Sequence, residues 1–171
     1  MAFLFYNLLR NPEKLHKAQK EVDEVLGDNT IELKHLSQLK YVDACIKETL
    51  RYLGPILLIG KHAKQDGTII AGKYKVDRKT AIMFNLRDLH HDKTVWGEDA
   101  DVFRPERMLD GGFEKIPQTA WRPFGDGERA CIGRAFAEQE MLINVALILQ
   151  RFQVEMADPN YQLRKWYPNA L

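Results

Sequence analysis

The feature that most constrains this chain is a glycine-punctuated loop at residues 123–133, which reads PFGDGERACIG. Gly125 and Gly127 permit backbone conformations with positive φ and the close approach of a large planar ligand. The loop delivers Cys131 to the start of a long apolar segment without proline, which predicts a helix. Because a helix N-terminus carries positive potential and free N–H groups, a cysteine there is favoured as the thiolate. The sequence therefore predicts a metal-bound or reactive sulfur at Cys131.

Apolar periodicity predicts further helices ahead of this loop. The run Asn-Pro-Glu at residues 11–13 is a helix start with asparagine as the cap, and the apolar stripe that follows ends at Gly27. A short helix is expected over residues 33–39 and a longer one over residues 41–53. Cys45 lies on the apolar stripe of the longer helix, so we expect it to be an unreactive core thiol.

Short β-like runs occupy the middle of the chain. Residues 74–76 and 81–84 are expected to share one small sheet, and the apolar residues 56–59 form either a core strand or the lining of a pocket. The chain shows no repeat and no linker. The fold class predicted is mainly α with a small β-sheet (α+β), in one domain.

Two polar groups in the sequence admit a structural and a functional interpretation. Glu48 and Arg51 lie opposite the apolar stripe of their helix, and periodicity alone predicts a solvent-exposed pair three residues apart. The run His90, His91 and Asp92 suggests a metal, but adjacent residues on irregular chain rarely chelate one. We expect hydrogen bonding or helix capping from this run instead.

Composition excludes several function classes. The 25 basic and 24 acidic side chains nearly cancel, which argues against a nucleic-acid partner. Two cysteines are too few for a disulfide framework and favour a reducing compartment, so an intracellular, cytoplasmic location is expected. The apolar N-terminus MAFLFYNLLR is too short to span a bilayer and gives no indication of membrane contact. It is typical of the last turns of a buried helix, and we expect the chain to be truncated there.

Three signatures occur in one order: KETLR with Glu48 and Arg51, FRPER at residues 103–107, and FGDGERACIG with its complete Phe-x-Gly-x-Gly-x-Arg-x-Cys-x-Gly pattern. Together they resemble the cytochrome P450 family of haem-thiolate monooxygenases. The resemblance covers nearly the whole chain but only the haem-proximal, C-terminal part of the family's domain. It implies that residues 1–171 are a single partial domain, truncated at both ends.

The resemblance also implies a haem site. Cys131 would be the axial thiolate ligand of the iron of haem b, a ligand that favours O–O cleavage. Phe124 would pack beside the sulfur and the haem. Gly125 and Gly127 would let backbone N–H groups turn toward the sulfur. Arg129 would pair with a haem propionate, which suits its forked guanidinium.

The same resemblance assigns roles around this loop. Gly133 completes the signature and belongs to the haem-binding set. Glu48 and Arg51 would join Arg107 in a buried ion network behind the haem, which contradicts the exposure predicted by periodicity. We follow the resemblance, because coverage of the polar helix face by the FRPER segment satisfies both observations. His62 stands on a strand where many family members place a propionate-binding arginine, and it is a candidate propionate contact.

The stretches HDKTVWGEDADVFRPERM and RPFGDGERACIGRAFAEQE are most similar to the self-sufficient fatty-acid hydroxylases of bacteria and fungi. That subfamily implies O2 and a small lipophilic substrate, with electrons from NADPH through a diflavin reductase carrying FMN and FAD. This chain has no flavin or nicotinamide motif, so the reductase would be fused to it or separate. The oxygen-activating residues of the distal helix are expected outside the chain, which leaves no catalytic residue within it.

Two alternatives stay open at this point. In the first, Cys131 is the nucleophile of an enzyme without haem, which requires a base within reach; His91 is the nearest histidine in sequence. In the second, the chain is a truncated, non-catalytic remnant that assembles no complete active site.

Overall fold

Helices make up most of the regular structure in residues 1–164, the part of the chain that a computed structural model describes. The α-helices are α1 Ala2–Leu9, α2 Pro12–Leu26, α3 Leu33–Leu36, α4 Lys40–Tyr52, α5 Leu86–His90, α6 Lys93–Trp96, α7 Gly112–Lys115 and α8 Arg134–Arg151. Two 3-10 helices span Pro105–Met108 and Gly127–Arg129. The predicted fold class, mainly α with a small β component, is confirmed.

Helix α2 shows how the local sequence sets its own ends. Pro12 occupies the first turn, where its missing N–H costs nothing, and Gly27 ends the helix with φ of +50°. The predicted stripe is buried through Ala18, Val22 and Leu26. Asn11 stands at the cap position, but its side chain bonds no first-turn N–H and donates to the Asn7 carbonyl instead (2.8 Å). The predicted position of the asparagine cap is therefore confirmed, without a side-chain hydrogen bond to the first turn.

Helix α4 lies at the centre of the core. It packs against α1, α2, α8 and the 3-10 helix Pro105–Met108. Its apolar face buries Val42 and Cys45 completely, together with Leu26 of α2 and Val145 of α8. Cys45 is a buried core thiol, as predicted, and its burial raises the pKa of the thiol well above the ordinary value.

The strands form two separate antiparallel pairs. They are β1 Leu58–His62, β2 Thr68–Ile70, β3 Tyr74–Val76 and β4 Ala81–Asn85. Strand β4 pairs back with β1, and β2 pairs with β3. The single sheet predicted for residues 74–84 is therefore wrong. A tight turn with positive φ at Ala71 and Gly72 gives β3 the adjacent β2 as its partner.

The segment between the strands and the cysteine loop contains α5, α6 and a 3-10 helix, although the sequence around residues 90–92 predicts irregular chain. Asp92 caps α6, since its Oδ1 accepts the N–H of Thr94 at 2.9 Å. His91 contacts Asp101 at 2.7 Å. Hydrogen bonding and capping at residues 90–92 are thus confirmed, and no cluster of metal-ligating side chains occurs within residues 1–164.

The last helix, α8, begins at Arg134 with Gly133 as its cap residue, so Cys131 lies two residues ahead of the cap rather than in the first turn. No helix in residues 1–164 combines the length and apolar character that a bilayer crossing requires. Residues 165–171, which include Trp166 and Tyr167, lie outside the described residues.

Candidate functional site

The cysteine loop is held by its own backbone hydrogen bonds. The Gly125 N–H donates to the Arg122 carbonyl (3.0 Å), which closes a turn at the start of the loop. The Cys131 N–H donates to the Phe124 carbonyl (2.9 Å), which brings the two ends of the loop together. Between them lies the 3-10 helix Gly127–Arg129. Two backbone hydrogen bonds within the loop therefore hold Cys131 in position.

Glycine is required at two points of this loop. Gly125 has φ of +74° and Gly127 has φ of +70°, values that L side chains rarely adopt, so the predicted positive φ is confirmed. Gly133 differs, because its φ is −85° and an added Cβ would lie 3.9 Å from the Cys131 Sγ, an ordinary contact distance, so neither backbone nor space requires glycine there. The Gly125 N–H is directed to the Arg122 carbonyl in this turn, and its expected contact with the sulfur stays a prediction.

The thiol of Cys131 is exposed, in contrast to that of Cys45. Ile132 beside it is fully exposed, and Phe136 in the first turn of α8 is 71% exposed. Neighbouring large apolar side chains in water mark a surface that a ligand or another part of a protein covers. Arg129 is exposed as well, and it forms no ion pair within residues 1–164. The surface around Cys131 thus combines a sulfur, apolar side chains and an arginine free to meet an anion.

One flank of the loop is aromatic. Phe124 is half-buried, and its ring meets that of Trp121 edge-on, with 6.4 Å between centroids. The guanidinium of Arg134 lies 5.5 Å from the Trp121 centroid and 5.7 Å from the Phe124 centroid, within cation–π range of both rings. These three side chains line a cavity of about 500 Å³ beside the loop. Phe124 is therefore fixed from several directions.

The other flank faces the β1–β4 pair. Ile59 and Phe84 pair across the ladder and, with Lys61, line a cavity of about 470 Å³ that Gly125 also borders. Alternate residues of a strand face opposite sides, so Ile59 and Lys61 share the side of this cavity. His62 is exposed and lies on the opposite side of β1. The structure thus brings Lys61, rather than His62, to the loop, and a propionate contact of His62 stays a prediction.

A buried ion network joins α4 to residues 90–107. Glu48 has no exposed surface, and its carboxylate accepts two hydrogen bonds from Arg51 (both 2.8 Å) and one from Arg107 (3.0 Å). A fourth comes from the Arg104 backbone N–H at 2.9 Å. The solvent-exposed pair predicted by periodicity is wrong, because residues 96–107 cover the polar face of α4 and supply the partners that make burial tolerable.

The guanidinium of Arg51 is satisfied at all five of its N–H groups. Two reach Glu48, and the other three reach the backbone carbonyls of His90 (2.6 Å), Ala100 (2.8 Å) and Val102 (3.2 Å). Only arginine offers this many donors in a fixed planar fork. The network therefore anchors residues 90–102, which include α6, onto α4 through their main-chain carbonyls.

These elements are the parts of a known protein family. The family model described as Cytochrome P450 matches residues 1–166. The chain belongs to the cytochrome P450 family. Membership implies a haem whose iron is bound by a cysteine thiolate, and Cys131 is the exposed cysteine of this chain.

Curated cytochrome P450 relatives are long fusion proteins. The chain is 46% identical over 169 residues to the bifunctional cytochrome P450/NADPH–P450 reductase ascE of Acremonium egyptiacum, covering 96% of this chain and 16% of that protein. It is 47% identical over 165 residues to the self-sufficient cytochrome P450 monooxygenase CYP505AG1 of Oidiodendron maius, covering 95% and 15%. The chain thus spans about one sixth of the length of these relatives.

A solved cytochrome P450 structure shows the same fold. The crystal structure of the haem domain of a cytochrome P450DA mutant matches with a TM-score of 0.86 and 33% identity, over 95% of this chain and 37% of that one. The helices and paired strands described above are thus arranged as in part of a cytochrome P450 haem domain.

Sequence reasoning missed one residue of this cytochrome P450 site. His90 is 2% exposed, and its ring Nε2 accepts the backbone N–H of Arg122 at 2.9 Å, directly ahead of the cysteine loop. The sequence predicts hydrogen bonding or helix capping for residues 90–92, but it does not identify Arg122 as the partner of His90. No motif in the sequence marks it, and only the pairing of residues 32 positions apart shows what it does.

Proposed function

We propose that this chain is the thiolate-bearing part of a haem-dependent monooxygenase, with Cys131 as the axial ligand of the iron. The observation that supports it best is the placement of an exposed cysteine on a backbone-fixed glycine loop, beside apolar surface and ahead of α8. The names of the relatives, which describe cytochrome P450 monooxygenases fused to reductases, support the same reaction class. Residues 1–171 would then form one partial domain of a haem protein.

The residues present fit a haem. A porphyrin has a broad apolar face and acidic edge groups, and the surface around Cys131 offers apolar side chains with Arg129 close by in sequence. Phe124 would contact the sulfur side of the ring, and Gly133 would lie beside the Sγ. Arg129 would pair with one propionate, and either His62 or Lys61 of β1 would reach the other.

When bound, the haem iron supplies the chemistry that inserts one atom of O2 into a C–H bond and reduces the other to water with two electrons and two protons. The contribution of this chain is to hold its ligand in place. Backbone hydrogen bonds fix Cys131, and the aromatic flank fixes Phe124. The Glu48–Arg51–Arg107 network fixes residues 90–102, whose His90 accepts the Arg122 N–H ahead of the loop. A rigid thiolate keeps one coordination geometry, which preorganises the site.

The proposal extends to the substrate and the electron donor. A small lipophilic substrate, in particular a fatty acid, is supported by the similarity to self-sufficient hydroxylases and by the apolar side chains at Ile56 and Phe84, which are 47% and 52% exposed. Electrons from NADPH would arrive through a reductase carrying FMN and FAD, either fused or separate, as the fusion relatives suggest.

The structure bears differently on two other candidate functions, a nucleophilic cysteine without haem and a non-catalytic remnant. A nucleophilic cysteine without haem needs a free base, but the ring nitrogens of His91 are engaged by Asp101 and the Tyr52 carbonyl. That candidate is disfavoured. A non-catalytic remnant is favoured by one observation, namely that the chain spans only 37% of the haem domain it matches. Such a remnant would fold without retaining haem.

These functions are distinguished by the absorbance spectrum of the purified chain after incubation with haem, reduction and addition of CO. A Soret band shifted far to the red is expected for thiolate ligation, and Cys131→Ser should eliminate it. Cys45→Ala is the matched control, since it removes the other of the two cysteines and should leave the band intact. Failure of the wild-type chain to take up haem would refute the proposal in favour of the remnant. A band that persists in Cys131→Ser would refute the assignment of the ligand.

A further inference from the structure

His90 occupies a junction between two parts of the fold. It is the last residue of α5, and 2% of it is exposed. Its backbone carbonyl accepts a hydrogen bond from the Arg51 guanidinium at 2.6 Å. Its ring Nε2 accepts the backbone N–H of Arg122 at 2.9 Å. One residue therefore contacts the buried ion network through its main chain and the approach to the cysteine loop through its side chain.

The hydrogen bond to Arg122 fixes the protonation state of the ring. A backbone N–H can only donate, so Nε2 carries a lone pair and the ring proton resides on Nδ1. Burial, followed by the positive charge of Arg51 and the neighbouring His91, lowers the pKa of His90 from 6.5 to about 4. The ring is thus neutral at neutral pH and available as an acceptor.

Arg122 is the point where the loop joins the rest of the fold. Its carbonyl accepts the Gly125 N–H (3.0 Å), which closes the first turn of the loop. Two residues further along the chain, the Phe124 carbonyl accepts the Cys131 N–H (2.9 Å). Restraint of the Arg122 main chain therefore propagates through two hydrogen bonds to the backbone of Cys131.

We propose that His90 is a positioning residue, which ties the Glu48–Arg51–Arg107 network to the cysteine loop by accepting the Arg122 N–H on its ring. The tie itself does not depend on a haem. Its consequence for the geometry of the thiolate rests on the proposed function. A merely space-filling histidine would be replaceable by another ring of similar size, whereas a tie requires an acceptor at the Nε2 position.

Three variants of residues 1–171 separate these roles. His90→Phe keeps the ring and removes the acceptor. His90→Gln places an amide oxygen near the Nε2 position and restores an acceptor. His91→Phe is the matched control, because the adjacent imidazole contacts Asp101 and the Tyr52 carbonyl and does not contact Arg122.

The first measurement is amide hydrogen exchange by NMR, with no haem added. Relative to the amides of α2, the Arg122 amide should exchange about tenfold faster in His90→Phe, since its hydrogen bond is lost. In His90→Gln and His91→Phe the change should stay below about threefold. Equal exchange in His90→Phe and wild type, or equal acceleration in His91→Phe, would overturn the proposal.

The second measurement is the tautomer of His90 in the wild-type chain, read from long-range nitrogen–proton couplings. A proton on Nδ1 is expected, and a proton on Nε2 would overturn the proposal even if His90→Phe does not fold. In haem-loaded chain, His90→Phe should lower the share of thiolate-type band and His90→Gln should restore it. Absence of haem uptake by the wild type would refute the proposed function alone, because exchange and tautomer still decide the role of His90.

Discussion

Replacement of Arg51 by methionine is expected to destabilise the chain by about 4 kcal/mol. The variant keeps an unbranched side chain of similar length but leaves the buried Glu48 carboxylate with one arginine instead of two. It also strands the three backbone carbonyls that Arg51 bonds. Removal of one partner from a buried ion pair costs about 3–5 kcal/mol, and the orphaned carbonyls keep the cost from falling below that range.

The loss is measured by urea unfolding, followed by circular dichroism and tryptophan fluorescence. Lys20→Met is the matched control, because Lys20 pairs with Glu24 at 3.7 Å with both side chains 66% exposed, and an exposed pair contributes at most about 1 kcal/mol. Arg51→Lys keeps the charge and loses the fork, so an intermediate loss is expected if Arg51→Met does not fold. A loss in Arg51→Met no greater than that in Lys20→Met would refute the argument that the network stabilises the fold.

Two further predictions concern the loop and its support. Folding lowers the pKa of His90 from 6.5 to about 4, so the unfolded chain binds a proton more readily than the folded chain between these pH values. The free energy of unfolding should therefore be highest above pH 6.5 and should decrease by about 3 kcal/mol as the pH falls to 4. Arg51 and His91 are the charged and titratable neighbours that oppose its protonation, and His90→Gln should flatten the profile measured by urea unfolding; an unchanged profile would contradict the assignment. Gly125→Ala should cost about 1–2 kcal/mol because φ is +74°, whereas Gly60→Ala in β1 should cost nothing measurable by the same assay. Equal costs would show that the positive φ at Gly125 is not required.

The sequence predicted the position of helix α2 more accurately than it predicted the contacts of Glu48 and Arg51. The stripe and end signal of α2 are local, and local pattern is sufficient to place them. Glu48 and Arg51 were a different case, since periodicity records only which face is apolar. It does not show that a distant segment covers the other face with carbonyls and Arg107. Only the FRPER signature, a family feature, indicated that burial.

Strand pairing and the role of His90 depend on encounters between distant residues. Composition correctly predicted that β3 and β4 are extended segments. It did not predict which strands pair, because the turn at residues 71–73 pairs β3 with β2 and the return of the chain pairs β4 with β1. His90 was visible only as one of two adjacent histidines. Its burial and the N–H it accepts depend on where residue 122 passes, which no local pattern encodes.

The contrast between the two thiols has a practical consequence for labelling. Cys131 is exposed, whereas Cys45 has no exposed surface, and burial followed by the nearby carboxylates raises the pKa of its thiol. A maleimide reagent applied to the folded chain would therefore modify the loop selectively, without any engineered cysteine. Modification of Cys45 would require the core around α4 to open. The rate at which Cys131 is modified therefore measures access to the loop, and the rate at which Cys45 is modified measures opening of the core.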